Sequence, residues 1–183
     1  MKRHIFLTGF MGSGKSTIGV QLAEKLGMKF IDVDDEIERK YNTAIKDIFA
    51  QQGEAWFRKA EEEMLAQLSQ ERKGHVISLG GGALISVKNL QWAINNGILI
   101  YIKSKPEEIW RRIRHSTRRP LLRGNGEEWT KDDYINRINH LLEQREKGYH
   151  RAHIIIDRDG KEVHDVIELI VQKIKSMSRE LCQ

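Results

Sequence analysis

The chain has 183 residues, 39% of them hydrophobic and 31% charged, with a formal net charge of +5. This length and balance suit one folded domain with a substantial core and exclude a disordered polymer. The lone cysteine, Cys182, excludes an internal disulfide and a cysteine-rich metal site. No apolar stretch reaches the length of a membrane span, so a cytoplasmic setting is expected. Met1-Lys2-Arg3 ahead of an apolar run resembles the start of a secretory leader, but a loop rich in glycine occupies the place of its apolar segment, so no leader is expected.

Ile5-Phe6-Leu7-Thr8 is a short apolar run that fits a buried strand. Gly9-Phe10-Met11-Gly12-Ser13-Gly14-Lys15-Ser16 follows and reads G-x-x-x-x-G-K-[ST], the phosphate-binding P-loop pattern. Glycines let successive N–H groups turn into one concavity, which with a helix N-terminus binds a polyphosphate. Lys15 can reach the terminal phosphates, and the Ser16 hydroxyl can ligate Mg²⁺. Ile18, Leu22 and Leu26 then recur at helical spacing, completing the strand, loop and helix that the motif requires, and Gly27 ends that helix.

Met28-Lys29-Phe30-Ile31 predicts a second strand, ending in Asp32-Val33-Asp34-Asp35-Glu36. Carboxylates at the C-terminal end of a strand sit where open α/β sheets place ligands. An extended backbone would point Asp32 and Asp34 to one side, one for Mg²⁺ through water and the other for a substrate hydroxyl. The competing reading makes Asp34 and Asp35 caps of a helix over 36–41. Thr43 is the expected cap of a helix over 44–52, which Gly53 breaks, and another helix begins near Glu54 with Phe57, Ala60, Met64 and Leu68 on its core face. On a neighbouring face Arg58 stands three residues before Glu61 and four before Glu62. By charge pattern this is a solvated surface pair, and the sharper alternative has Glu61 aim Arg58 at a ligand carboxylate.

His75-Val76-Ile77-Ser78-Leu79 is the third predicted strand, and Gly80-Gly81-Gly82 follows at once, implying close backbone approach to a ligand or a helix. By its place after a strand, this turn can offer N–H donors to an acceptor substrate. Ser86 caps a helix over 87–96 ended by Gly97, and Ile98-Leu99-Ile100-Tyr101-Ile102 has the unbroken apolar character of a buried parallel strand. Ser104 and Pro106 open a helix from which a basic run emerges: Arg111, Arg112, Arg114, His115, Arg118 and Arg119. Pro120-Leu121-Leu122 and Gly124-Asn125-Gly126 follow. The segment reads as a cationic lid over phosphates, or as a nucleic-acid patch, although the run lacks aromatics for base stacking. Thr130 caps a helix over 130–147 that carries Arg145 on its last turn, Ile154-Ile155-Ile156 is the fifth strand, and a helix over 162–177 closes the chain. Alternating strands and helices predict an α/β fold of three layers, α/β/α, around a mostly parallel five-stranded sheet. Thr130-Lys131-Asp132-Asp133 and Asp157-Arg158-Asp159-Gly160 match loose guanine-reading patterns, but their order is reversed and the first opens a helix, so both are chance matches.

Taken together, Gly9 to Ser16, Asp32-Val33-Asp34, Ile48-Phe49 through Gly53-Glu54 to Phe57-Arg58 and Glu61, Gly80-Gly81-Gly82, Arg119-Pro120-Leu121-Leu122, and Arg145 with Tyr149 resemble the shikimate kinase family. The resemblance implies a P-loop kinase of the nucleoside-monophosphate-kinase type: one domain over 1–183, with a P-loop core at 1–32, a substrate-binding region at about 33–62 and a lid at about 113–127. It implies that Gly12, Ser13, Gly14, Lys15, Ser16 and Thr17 bind ATP, that Ser16 and Asp32 serve one Mg²⁺ ion, and that Arg112 lies by the adenine. Asp34 would orient or deprotonate the attacking hydroxyl, Arg58 and Arg145 would clamp the shikimate carboxylate, and Gly80, Gly81 and Gly82 would donate N–H groups. Arg119 would neutralise charge on the transferring phosphoryl group. Two departures stand out. Arg145-Glu146-Lys147-Gly148-Tyr149 lacks the family's proline turn before the tyrosine, with Gly148 expected to supply the turn, and Asp157-Arg158-Asp159-Gly160-Lys161 lacks a proline beside the adenine. The expectation is an enzyme that phosphorylates the 3-hydroxyl of shikimate, in the route to chorismate and aromatic amino acids. Its partners would be ATP and shikimate, with no nucleic acid and no membrane, and it would act as a cytoplasmic monomer. The alternatives are another small-molecule P-loop kinase, such as a gluconate kinase, and a nucleic-acid-linked ATPase.

Overall fold

A computed structural model describes residues 4–68, 71, 73–114 and 129–180. Five strands, β1 (His4–Thr8), β2 (Lys29–Asp32), β3 (His75–Ser78), β4 (Gly97–Lys103) and β5 (Ile154–Asp157), form one sheet in the order β2-β3-β1-β4-β5. Every neighbouring pair is parallel, with Leu7 level with both Ser78 and Ile100. The helices are α1 (Lys15–Leu26), α2 (Val33–Tyr41), α3 (Ile45–Leu68), α4 (Val87–Asn96), α5 (Pro106–Ile113), α6 (Lys131–Tyr149) and α7 (Val163–Glu180).

Successive side chains of a strand point to opposite faces, so the sheet divides the apolar residues between two cores. Ile5, Leu7, Ile100 and Ile102 pack with Ile18 and Leu22 of α1 and Val166 and Ile170 of α7. Phe6, Leu99 and Tyr101 face the other way, onto residues of α2 to α6. Ile18 and Leu22 are fully buried, each worth about 1.5–3 kcal/mol relative to exposure. The three-layer arrangement expected from the alternation of elements is the one observed. Among the described residues, no helix is long and apolar enough to cross a membrane.

Several boundaries move, each for a local reason. β2 ends at Asp32 and α2 begins at Val33, three residues before the expected start, because Asp32 caps it by accepting from the Asp34 N–H at 3.1 Å. The backbone therefore does not stay extended, and Asp32 and Asp34 are not alternate residues of a strand. Thr43 does not cap α3: its hydroxyl donates to the Tyr41 carbonyl at 2.9 Å, and the Glu38 carboxylate takes the Ile45 N–H at 2.7 Å. Gly53, at φ 80° and ψ 171°, interrupts α3 where the sequence breaks its helical pattern. Ser86 caps α4 as expected, and Gly97, instead of ending the helix, opens β4. Thr130 and Asp133 form a reciprocal capping box, which accounts for the threonine and aspartate of the guanine-like match as helix chemistry.

A methyl group on Gly97 would stand 2.1 Å from the His4 carbonyl oxygen on β1, at a backbone angle any residue adopts. Gly97→Ala is expected to destabilise the chain by about 1–3 kcal/mol through overpacking alone. A urea unfolding midpoint equal to that of the unmodified chain would contradict this.

Candidate active site

The carboxyl ends of β1, β3 and β2 lead respectively into the P-loop, the glycine turn 80–82 and Asp32, so three ligand-bearing segments meet at one edge of the sheet. In the P-loop, Gly9, Gly12 and Gly14 hold φ of 141°, 79° and 93°, a region closed to most side chains. Gly14 is the N-cap of α1. Lys15 is folded over the loop, its Nζ donating to the carbonyls of Gly9 at 2.9 Å and Phe10 at 3.1 Å. Ser13 is fully buried, and its hydroxyl has no partner among the described residues. Ser16 and Thr17 lie exposed on the first turn of α1. The Ser16 hydroxyl donates to Asp32 Oδ2 at 2.7 Å, so Asp32 caps α2 with one oxygen and meets the P-loop serine with the other.

Beside the loop lies a pocket of about 300 Å³. Ser16, Asp32, Asp34, Arg58 and Arg145 provide its polar wall, Met11, Phe49 and Phe57 an apolar one, and Gly80 to Gly82 its floor. The glycines are there for approach. A methyl group on Gly80 would stand 2.3 Å from Glu61 Oε1 and 2.8 Å from Asp34 Oδ1, and one on Gly82 would stand 2.4 Å from Arg58 Nη2.

Arg58 is no surface pair. Its Nη1 donates to Glu61 Oε2 at 2.9 Å, and its Nη2 and Nε reach Glu54 Oε1 at 2.9 and 3.2 Å. Burial pulls its pKa down, but Glu61 and Glu54 more than offset this and hold it above the ordinary value. Glu61 itself has no exposed surface, and its Oε1 has no partner among the described residues. Burial, reinforced by the charge of Asp34 and opposed by Arg58 and Arg145, pushes its pKa up to about 7. Arg145 is 3% exposed and lies over the Phe10 ring at 5.3 Å, with Nε and Nη1 unpartnered among the described residues. Burial, with the nearby charge of Arg58, lowers its pKa against the opposing effect of Tyr149, yet a guanidinium stays a cation. A buried guanidinium with unpartnered N–H donors in the wall of a polar pocket is a candidate receptor for an anion such as a carboxylate.

Arg112, expected beside the adenine, donates to Ser104 at 3.1 Å and Glu108 at 3.3 Å, and burial followed by the charge of Arg158 lowers its pKa. Arg158 had no assigned role in the sequence reading. Its Nε would lie 2.9 Å from a methyl group on Gly14, so it overhangs the P-loop. Its place directly after a sheet strand was the available signal. Glu54 was likewise missed, although it stands four residues before Arg58 on one helix face. Gly148 supplies no turn: α6 continues through it to Tyr149, and the missing side chain lets the helix approach Leu84, whose carbonyl would lie 2.8 Å from a methyl group. Arg119 and most of the expected lid at 113–127 lie outside the described residues.

A parallel sheet with a phosphate loop opening α1 and a second, polar pocket beside it is the architecture of a P-loop kinase. The shikimate kinase family model matches residues 11–175. A shikimate kinase from Chlorobaculum parvum is 44% identical over 184 aligned positions, covering 99% of this chain and 98% of its own. The solved shikimate kinase from Acinetobacter baumannii, in complex with shikimate, superposes with a TM-score of 0.88 at 33% identity, over 96% of this chain and 94% of that one. The chain belongs to the shikimate kinase family. A gluconokinase from Sinorhizobium meliloti, with a TM-score of 0.58 at 17% identity over 98% and 95% of the two chains, shares the fold alone.

Because Glu61 titrates near 7 in the folded chain against an ordinary 4.5, the folded state holds a proton through that window that the unfolded chain has released. Stability contributed by this group is therefore greatest below pH 4.5 and falls as pH rises through about 7. Glu61→Gln should flatten that part of a curve of unfolding free energy against pH. An identical decline in the variant would remove Glu61 as its cause.

Proposed function

We propose that the chain transfers the γ-phosphoryl group of ATP to the 3-hydroxyl of shikimate. The observation that carries this is the convergence of Arg58 and the buried, underbonded Arg145 on a pocket that Asp34 and the P-loop share. A polyhydroxy carboxylic acid needs a cationic fork at one end and an oxygen acceptor at the other, and the pocket has both. Gluconate has the same groups on an open chain. The apolar wall of Phe49 and Phe57, with the glycine floor opposite, suits a flat carbocycle better. The basic run supports no nucleic-acid reading of comparable detail.

In this reading the N–H groups from Gly12 to Thr17 and the Lys15 ammonium hold the phosphates, and Arg112 and Arg158 line the nucleotide side. Arg58 and Arg145 bind the carboxylate, and the turn Gly80 to Gly82 presents backbone N–H groups. The acceptor hydroxyl then lies against Asp34, which takes its hydrogen bond and orients the oxygen at the γ-phosphorus. The new oxygen–phosphorus bond forms as the bond to the ADP oxygen breaks. Phosphoryl transfer of this kind is governed by positioning and charge neutralisation. Ser16 and Asp32 are hard oxygen donors 2.7 Å apart at the mouth of the loop, a set that fits Mg²⁺. When bound, the ion neutralises charge on the β- and γ-phosphates. The reading is completed by a monomer acting on small molecules in the cytoplasm. The regions 1–32 and 33–62 would then be the nucleotide and acceptor parts of one domain.

ADP release measured with ATP and Mg²⁺ should be strong with shikimate and weak with gluconate or single-stranded RNA. Turnover on gluconate alone would reassign the pocket. Chelation of Mg²⁺ should abolish release, and its restoration should recover it. Arg58→Ala should raise the KM for shikimate about 10- to 100-fold, the size of a lost charged hydrogen bond, with the KM for ATP nearly unchanged. Equal loss for both substrates would refute the assignment. Lys15→Met should lower kcat about a hundredfold or more, and near-normal turnover would exclude Lys15 from the phosphate site.

A further inference from the structure

Tyr149 is the last residue of α6 and is 1% exposed, its ring stacked on Tyr101 of β4 with centroids 4.8 Å apart. Filling the core would account for the ring. It does not account for the hydroxyl, which donates to the carbonyl of Gly81. That carbonyl belongs to the floor of the acceptor pocket. Gly81 also lies near several parts of the site at once. A methyl group there would stand 3.3 Å from the Met11 nitrogen of the P-loop, 3.5 Å from the Gly9 carbonyl and 3.5 Å from Arg145 Nη1. One helical turn before Tyr149, and in contact with it, is Arg145. Between them Gly148 lies against the backbone of Leu84, just beyond the glycine turn.

We propose that Tyr149 is a positioning residue of the acceptor pocket: its phenol, bound to the Gly81 carbonyl beside Arg145, holds the carboxylate-binding arginine, the glycine floor and the P-loop in one arrangement. The peptide joining Gly81 to Gly82 is planar and trans, so fixing its carbonyl also fixes the direction of the Gly82 N–H, which lies in the same plane and points the opposite way. Arg145 has too few protein partners to define its own orientation, since Nε and Nη1 have none among the described residues. The phenol beside it and the Phe10 ring below it supply that definition. Gly148 has the complementary part, for only a residue without a side chain lets the turn bearing Tyr149 lie this close to Leu84.

The proposal rests on the acceptor being a carboxylic acid, and the test separates the two. Tyr149→Phe keeps the ring and its stacking and removes only the hydroxyl. Kinetics with shikimate and ATP, and inhibition by shikimate amide, in which a carboxamide replaces the carboxylate, should show three things. The KM for shikimate rises about tenfold, the usual consequence of leaving a buried acceptor unpaired. The KM for ATP stays where it was. The preference of the enzyme for the acid over the amide shrinks by a similar factor, because Arg145 is no longer aimed. Gly148→Ala should reproduce the pattern by lifting the last turn of α6 from Leu84. An unchanged KM for shikimate in Tyr149→Phe overturns the proposal. Equal weakening of acid, amide and ATP also overturns it, since that is what general loosening does. An unmodified chain that turns over no shikimate overturns the functional reading and this one with it. Turnover by that chain beside an unaltered Tyr149→Phe overturns this one alone.

Discussion

The acceptor side of this molecule is built around a carboxylate with no access to water. Glu61 has no exposed surface, and burying an ionised carboxylate without partners is prohibitive. Arg58 is the partner, three residues back on α3, and its guanidinium in turn takes Glu54. For both ends of that pair to reach the sheet edge, the backbone opposite must carry no side chains, and Gly80 and Gly82 carry none. The glycine turn is thus constrained from outside, as the expected close approach requires. Its freedom is used for close approach, since none of its three glycines has a positive φ. Asp34 approaches Gly80 on the same side as Glu61, and its charge helps to keep a proton on Glu61.

The nucleotide side follows a different logic. There the glycines do adopt positive φ, the backbone supplies the binding groups, and Lys15 is held by carbonyls of its own loop. The two sides meet at Asp32, which starts α2 with one oxygen and bonds Ser16 with the other. One carboxylate thereby ties the helix that carries Asp34 to the helix that carries the P-loop lysine.

What was legible in the sequence is what depends on neighbours along the chain. The P-loop with its flanking strand and helix, the five strands, the break at Gly53 and the Ser86 and Thr130 caps are local patterns, and they stand where they were expected. The family resemblance assigned Arg58 and Arg145 to a carboxylate, and the structure brings both to the pocket beside Asp34. Errors arose where a group found its partner through space. The start of α2 was misplaced because Asp32 caps it, and the Asp-x-Asp pattern fits a strand end equally well. Thr43 has the residue type of a cap, but Glu38 from the preceding helix reached the site first. Arg158 overhangs the P-loop across the sheet, a contact no local period can announce. Gly148 was expected to stand in for the family's proline turn, whereas here an outside constraint, the backbone of Leu84, decides its use.

The underbonded groups in the pocket explain why a small enzyme keeps arrangements that weaken its fold. A buried donor without a partner costs about 1–3 kcal/mol, and Arg145 has two such nitrogens among the described residues. Pairing them within the protein would stabilise the empty chain, but it would leave nothing for a ligand to complete. A site with unsatisfied hydrogen-bonding groups rejects any acceptor that lacks the matching ones, because those groups then stay buried and unpaired. On the proposed reading, specificity in this pocket is carried by the same polar atoms that the fold leaves unmatched. The rigid sheet edge, the glycine floor and the last turn of α6 are what keep those atoms from collapsing onto one another.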